Sequence, residues 1–261
     1  MRVPGKRKQL GFTLLELMIA MAVFLVICAA MFELLELSQR NYGNEAQVSG
    51  TFQDARLAVD QIVRDFNASG YPGLAMFSTK PTPSKYAVGA VAWDPGYPGG
   101  TCTIGTGGGG TCATPGDFDL IVETNTGGGV NWIRYQLQNG TLYRSVAAKT
   151  DTNDPVTATS QPAVMVPFIS NVVNNPTAAQ LADITTAYPN MFPGGAVPIF
   201  QYSCDSGTGT VPCSLAPGYS PNGIRDVDIT LIVATPVRDT QTQRVKIVEL
   251  SGRGHRLNPT N

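Results

Sequence analysis

Histidine occurs once in this chain, as His255, and Asp, Glu, Lys and Arg together make up only 14% of its 261 residues. A lone imidazole far in sequence from the cysteines leaves no His/Cys metal-ligand spacing, and neither a GxSxG nor an HExxH pattern occurs. The tract Gly105 to Gly110 is not followed by the Lys-Ser or Lys-Thr of a phosphate-binding loop. These absences point away from an enzyme, and no cofactor is expected. The formal net charge of −1 argues against a generally cationic nucleic-acid binder. A DNA-binding face would need Arg134, Arg144, Lys149 and Arg238 to gather on one side.

Acids are also missing ahead of Glu16, whereas Arg2, Lys6, Arg7 and Lys8 stand there together. Behind them runs GFTLLELMIAMAVFLVICAAMF, Gly11 to Phe32, apolar except for Glu16. About 20 apolar residues at 1.5 Å rise span a bilayer core, and the basic flank holds the preceding end in the cytoplasm. The body of the protein therefore lies outside. A carboxylate inside such a run costs about 2.5–3.5 kcal/mol at the helix centre, less near an end, and calls for a partner. Cys28 in the same run reads as a small buried hydrophobe.

A secretory signal has its small-residue cleavage site after the apolar run; here the glycine precedes it. Lys8, Gly11, Phe12, Thr13, Leu14, Leu15 and Glu16 resemble the signal of type IV prepilins. The resemblance implies that a prepilin peptidase cuts between Gly11 and Phe12 and methylates the new amine. It also implies that Glu16 pairs with the terminal ammonium of a neighbouring subunit as the chain leaves the bilayer. Loss of the leader takes the net charge from −1 to about −5, since four cations and no acid go with it.

Past Phe32 the helical pattern continues. Val48, Phe52, Ala55, Val59, Ile62 and Phe66 recur at spacings of three and four, one stripe of a helix that runs from Phe12 to Asn67. Gly43 and Gly50 either bend it or are tolerated. Ser69, Gly70, Tyr71, Pro72 and Gly73 end it. Strands are expected over Tyr86–Trp93, Asp117–Glu123, Asn131–Gln138, Thr141–Val146, Val164–Val173, Ile199–Ser203, Val227–Thr235 and Arg244–Leu250, with a short helix over Ala178–Ile184. Asn139-Gly140 is the strongest hairpin signal among them. The 28 glycines and 19 prolines suit a loop-rich extracytoplasmic β protein. The expected organisation is a leader over 1–11, a transmembrane and assembly segment over 12–32, an amphipathic half-helix over 33–67, and a β-rich head over 68–261. The fold class is α+β: one long helix packed against an antiparallel sheet, with loops stapled by disulfides.

In an oxidising compartment, Cys102–Cys112 and Cys204–Cys213 form the two most local bridges, each contributing about 2–3 kcal/mol. The crossed connectivities stay open. Asp151, Asn153 and Asp154 could supply oxygen ligands to a calcium ion, although their loop lacks the glycine and distal glutamate of an EF-hand.

Ala58-Val59-Asp60-Gln61-Ile62-Val63-Arg64-Asp65-Phe66, Tyr135-Gln136-Leu137, Gly140-Thr141-Leu142-Tyr143-Arg144 and the paired last strands look like the PilW family of minor pilins, itself similar to the J-type minor pseudopilins of type II secretion. The resemblance implies a low-abundance subunit that primes pilus assembly and sits at or near the filament tip. Its alternatives are a secretion pseudopilin, or a tip adhesin or DNA-binding module. The implied partners are prepilin peptidase, other minor and major pilins, the inner-membrane assembly platform, lipid before assembly, and a surface ligand at the tip. The implied location is the bacterial inner membrane, then a pilus on the cell surface.

Overall fold

A computed structural model describes residues 13–93, 115–152, 154–213, 220–239 and 242–258. Helix α1 (Leu14–Asn67) opens the described chain. Leu, Met and Ala dominate its first half, all strong helix formers. The helix runs unbroken through Gly43 and Gly50, beside which an added Cβ would meet nothing. The chain divides into two compact units, Met1–Ala46 and Gln47–Asn261.

In the first unit the apolar side chains of α1 are exposed all round, as at Leu14, Met21, Phe24 and Phe32. The helix is long and apolar enough to cross a membrane. In the second unit α1 buries Thr51, Ala55, Ala58, Val59, Ile62, Asp65 and Phe66. The expected stripe is buried at Ala55, Val59, Ile62 and Phe66 but not at Val48 and Phe52. Phe52 lies on its flank and stays 42% exposed, while the polar Thr51 and Asp65 turn inward.

The head contains two four-stranded antiparallel sheets where one was expected. Sheet I has the order β1 (Asp119–Asn125), β2 (Val130–Gln138), β3 (Thr141–Ala148), β4 (Met165–Ile169). Asn139-Gly140 makes the β2–β3 turn, both residues at positive φ, with Gln138 opposite Thr141. Sheet II has the order β6 (Thr210–Pro212), β5 (Phe200–Asp205), β7 (Ile224–Ala234), β8 (Ile247–His255). Short helices α2 (Pro155–Thr159) and α3 (Ala178–Ala187) lie in the connections. Residues 86–93 do not form a strand of their own. They run beside β1, with the Val91–Val122 bridge and the Ala92 N–H donating to the Ile121 carbonyl.

One core joins both sheets to α1: Ile62 and Phe66 meet Leu120, Ile133 and Tyr135 of sheet I and Phe200, Val227 and Ile229 of sheet II. A satellite core gathers Val173, Ile184 and Phe192 with Ile232 and Ala234 of β7. Strand β8 begins later and ends five residues beyond the expected Leu250. An added Cβ at Gly252 would lie 2.5 Å from Val59 Cγ1, and one at Gly254 would lie 2.8 Å from Phe66 Cδ1. The helix rests on bare backbone there, which only glycine permits.

Candidate functional site

Of the three residues expected to govern processing and assembly, Gly11 and Phe12 lie outside the described residues, and Glu16 stands in the first turn of α1. Its backbone N–H donates to Thr13 Oγ1 at 3.3 Å, while the Thr13 N–H and hydroxyl each donate to Glu16 Oε2 at 3.1 Å. This is a capping box, which satisfies two of the orphan donors at a helix start reciprocally. The carboxylate thus has neutral hydrogen-bond partners within its own chain and no cation among the described residues. Cys28 is a free, half-buried thiol.

In the head, Cys204 and Cys213 are bonded and both fully buried, tying β5 to the segment after β6. Cys102 and Cys112 lie outside the described residues. Two of the expected oxygen ligands accept backbone hydrogen bonds instead: Asp151 accepts from the Ser84 N–H, 67 positions away in sequence, at 2.7 Å, and Asp154 caps α2 through the Thr157 N–H at 2.8 Å. Asn153 lies outside the described residues, and among those described no group of three His, Cys, Asp or Glu side chains is placed to hold a metal.

The four cations do not gather on one face. Arg134 is buried, its Nε 2.8 Å from Asp119 Oδ1. Arg144 reaches Asp65 of α1 at 2.9 Å, beside the Tyr135 hydroxyl that donates to the same carboxylate at 2.6 Å. Burial, then the neighbouring Asp65 charge, pushes the Tyr135 phenol far above its ordinary value. Lys149 is fully buried, its Nζ 3.2 Å from Glu123, whose carboxylate also accepts from Trp132 Nε1 and the Val88 N–H. Burial raises the Glu123 pKa and lowers that of Lys149, each opposed by the other's charge. Arg238 pairs with Asp183 of α3 at 2.7 Å. These partners are remote in sequence, 79 positions apart for Asp65 and Arg144, and no local pattern announces them.

His255 also has a partner. Its ring and the Arg253 guanidinium both bond Asp226, and its backbone N–H donates to Asn67 at the end of α1. Burial acts to raise the Asp226 pKa, but the His255 and Arg253 bonds outweigh it and hold the carboxyl below its ordinary value.

Comparison with known proteins picks out the N-terminal segment. Residues 6–32 match the prokaryotic N-terminal methylation motif. The chain carries a prepilin-type amino terminus. That motif implies processing by prepilin peptidase and assembly with other pilins, and the apolar helix that follows it is long enough to anchor the chain in a membrane. A type IV-like pilin from Thermus thermophilus is similar over 80% of this chain and 97% of its own, at 10% identity and a TM-score of 0.39, a likeness too slight to carry an argument. No curated protein matches the sequence.

Proposed function

We propose that this protein is a minor type IV pilin of the PilW kind, a structural subunit rather than an enzyme, which primes pilus assembly and sits at or near the filament tip. The methylation motif at residues 6–32 carries the reading. On it, Gly11 is the recognition position, Phe12 the methylated terminus and Glu16 the partner of a neighbour's ammonium. The capping box supports this role, since it orients the carboxylate without supplying a counter-charge. A head with two sheets and an added helical insertion is bulky to repeat along a shaft, which supports a tip position. The internal pairing of Arg134, Arg144, Lys149 and Arg238 weighs against the DNA-binding alternative.

The test is the intact mass and N-terminal sequence of membrane-extracted protein. A chain beginning at N-methylated Phe12 is expected. A chain keeping residues 1–11, in cells whose peptidase is active, overturns the assignment. Glu16→Ala is expected to be cleaved normally yet to fail in incorporation, and detection at stoichiometric amounts along the shaft rules out the minor, tip-located role.

A further inference from the structure

Two adjoining cavities open where the β2–β3 turn, the chain after β4, α3 and the connector after β7 converge. The smaller, about 300 Å³, and the larger, about 630 Å³, share Ser170, Asn171, Ala234 and Pro236 at their common rim. Cavities of this size suit small ligands. Around the smaller one, the side chains of Asn139, Thr141, Ser170 and Asn171 have no hydrogen-bond partner among the described residues. Asn139 and Asn171 hold positive φ values of 49° and 59°, Asn139 in the β2–β3 turn and Asn171 after β4, where its carbonyl accepts from the Ala234 N–H. Asp183 and Arg238 are the charged groups of the lining, paired at 2.7 Å and half-exposed. Val173, Ile184 and Val245 supply apolar surface from the satellite core.

This lining selects a chemical class. In the smaller cavity the one cation among the described residues is matched by one anion, which leaves no net charge to attract phosphate, a nucleotide or a metal ion, and Asp54 in the larger cavity adds a carboxylate that disfavours anions. Unspent amides and hydroxyls are poorly matched to a lipophilic ligand, because a buried polar group without a partner costs about 1–3 kcal/mol. A neutral, hydroxyl-rich ring satisfies them: its hydroxyls both donate and accept, as amides do, and the Asp183–Arg238 pair offers an acceptor and a planar donor fork side by side. The larger cavity continues past Ser170 and Asn171 to Pro167, Phe168 and Leu57, apolar surface on which further rings can lie, with Gln47, Thr51 and Asp54 of α1 as polar groups at its edge. We propose that the smaller cavity holds one ring of a neutral saccharide and that the larger holds the continuation of the same chain. The proposal rests on the pilin reading only in placing the head outside the cytoplasm.

Saturation-transfer NMR on the full chain in detergent micelles tests this, with glucose, galactose, N-acetylglucosamine and lactose as probes, followed by an array of neutral and charged surface glycans. Neutral sugars are expected to receive saturation. The double variant Asp183→Asn, Arg238→Gln is expected to weaken binding about tenfold or more, and Ser170→Ala to weaken it less, both with wild-type unfolding midpoints. Failure of every neutral probe and neutral array glycan overturns the proposal, as does binding that persists undiminished in the double variant. A double variant that leaves sugar binding intact but blocks incorporation identifies the cavity as a contact between subunits, and also overturns it. The N-terminal mass is read on the same preparation, so failure of sugar binding and failure of the pilin reading are told apart.

Discussion

The two sheets of the head are held to the same helix by different means. Sheet I uses charge: Asp65 of α1 meets Tyr135 and Arg144, and behind them lie the buried Glu123–Lys149 and Asp119–Arg134 pairs. Sheet II uses close approach and a covalent staple: Gly252 and Gly254 let Val59 and Phe66 touch the β8 backbone, and the Cys204–Cys213 bond lies in the core. Ion pairs on sheet II, such as Arg253–Asp228, are largely exposed. Buried charge is sensitive to loss of a partner, whereas a glycine contact is sensitive to added volume. The two halves of one core should therefore fail under different insults.

The largest effect is expected from Lys149→Met, which strands Glu123 without its counter-charge and costs about 3–5 kcal/mol. Its signature is a pH slope. With the folded carboxyl raised above its ordinary 4.5, the folded chain holds the proton more tightly than the unfolded one, so the variant's stability falls as pH rises from about there toward neutral. A flat urea midpoint over that range would contradict the account. Next comes Gly254→Val on sheet II, expected to cost about 3 kcal/mol through collision with Phe66. It should show no such pH slope, and Gly254→Ala should be partly repaired by Phe66→Leu.

Reduction of Cys204–Cys213, or its replacement by serines, is expected to cost about 2–3 kcal/mol. Reducing agent should lower the unfolding midpoint of Lys149→Met as well, since the two perturbations act on different sheets and add. Asp65→Ala should cost about 1–3 kcal/mol by leaving the buried Tyr135 hydroxyl without an acceptor and Arg144 without its counter-charge, although Arg144 Nε still donates to that hydroxyl at 3.0 Å. The smallest change is at Asp226. Its carboxyl is held below the ordinary 3.8, so its contribution is present above that value and is lost as pH falls through the folded pKa. Asp226→Asn should flatten that acid limb, measured by circular dichroism, and an unchanged limb would show that the His255 and Arg253 bonds do not stabilise the head.

What could be read in advance depended on how local each determinant was. The prepilin signal lies within a few consecutive residues. The β2–β3 hairpin is announced by Asn139-Gly140 between two alternating runs. Apolar alternation stops at Leu250 because Ser251-Gly252-Arg253-Gly254-His255 has none, although β8 continues to His255; its inward positions there are glycines that face the helix. Apolar spacing places Phe52 in the buried stripe and leaves Asp65 out of it, because spacing cannot show that a carboxylate meets Tyr135 of β2 and Arg144 of β3. The division into two sheets was invisible for the same reason, as strand partners are set by contacts far apart in sequence. The polar cavity had no local signal: its turn at Asn139 and its helix at Asp183 come together only in the folded head.

The chain has two tryptophans, Trp93 and Trp132, and both sit in the small cluster formed with Ala92 and Ile121, against β1. Trp132 also donates its indole N–H to Glu123. Intrinsic fluorescence is therefore an optical probe of one sheet alone. A melt followed by emission reports the surroundings of the Glu123–Lys149 pair, while far-ultraviolet dichroism averages over both sheets and the helix, so any gap between the two curves measures directly how independently the halves of the head come apart.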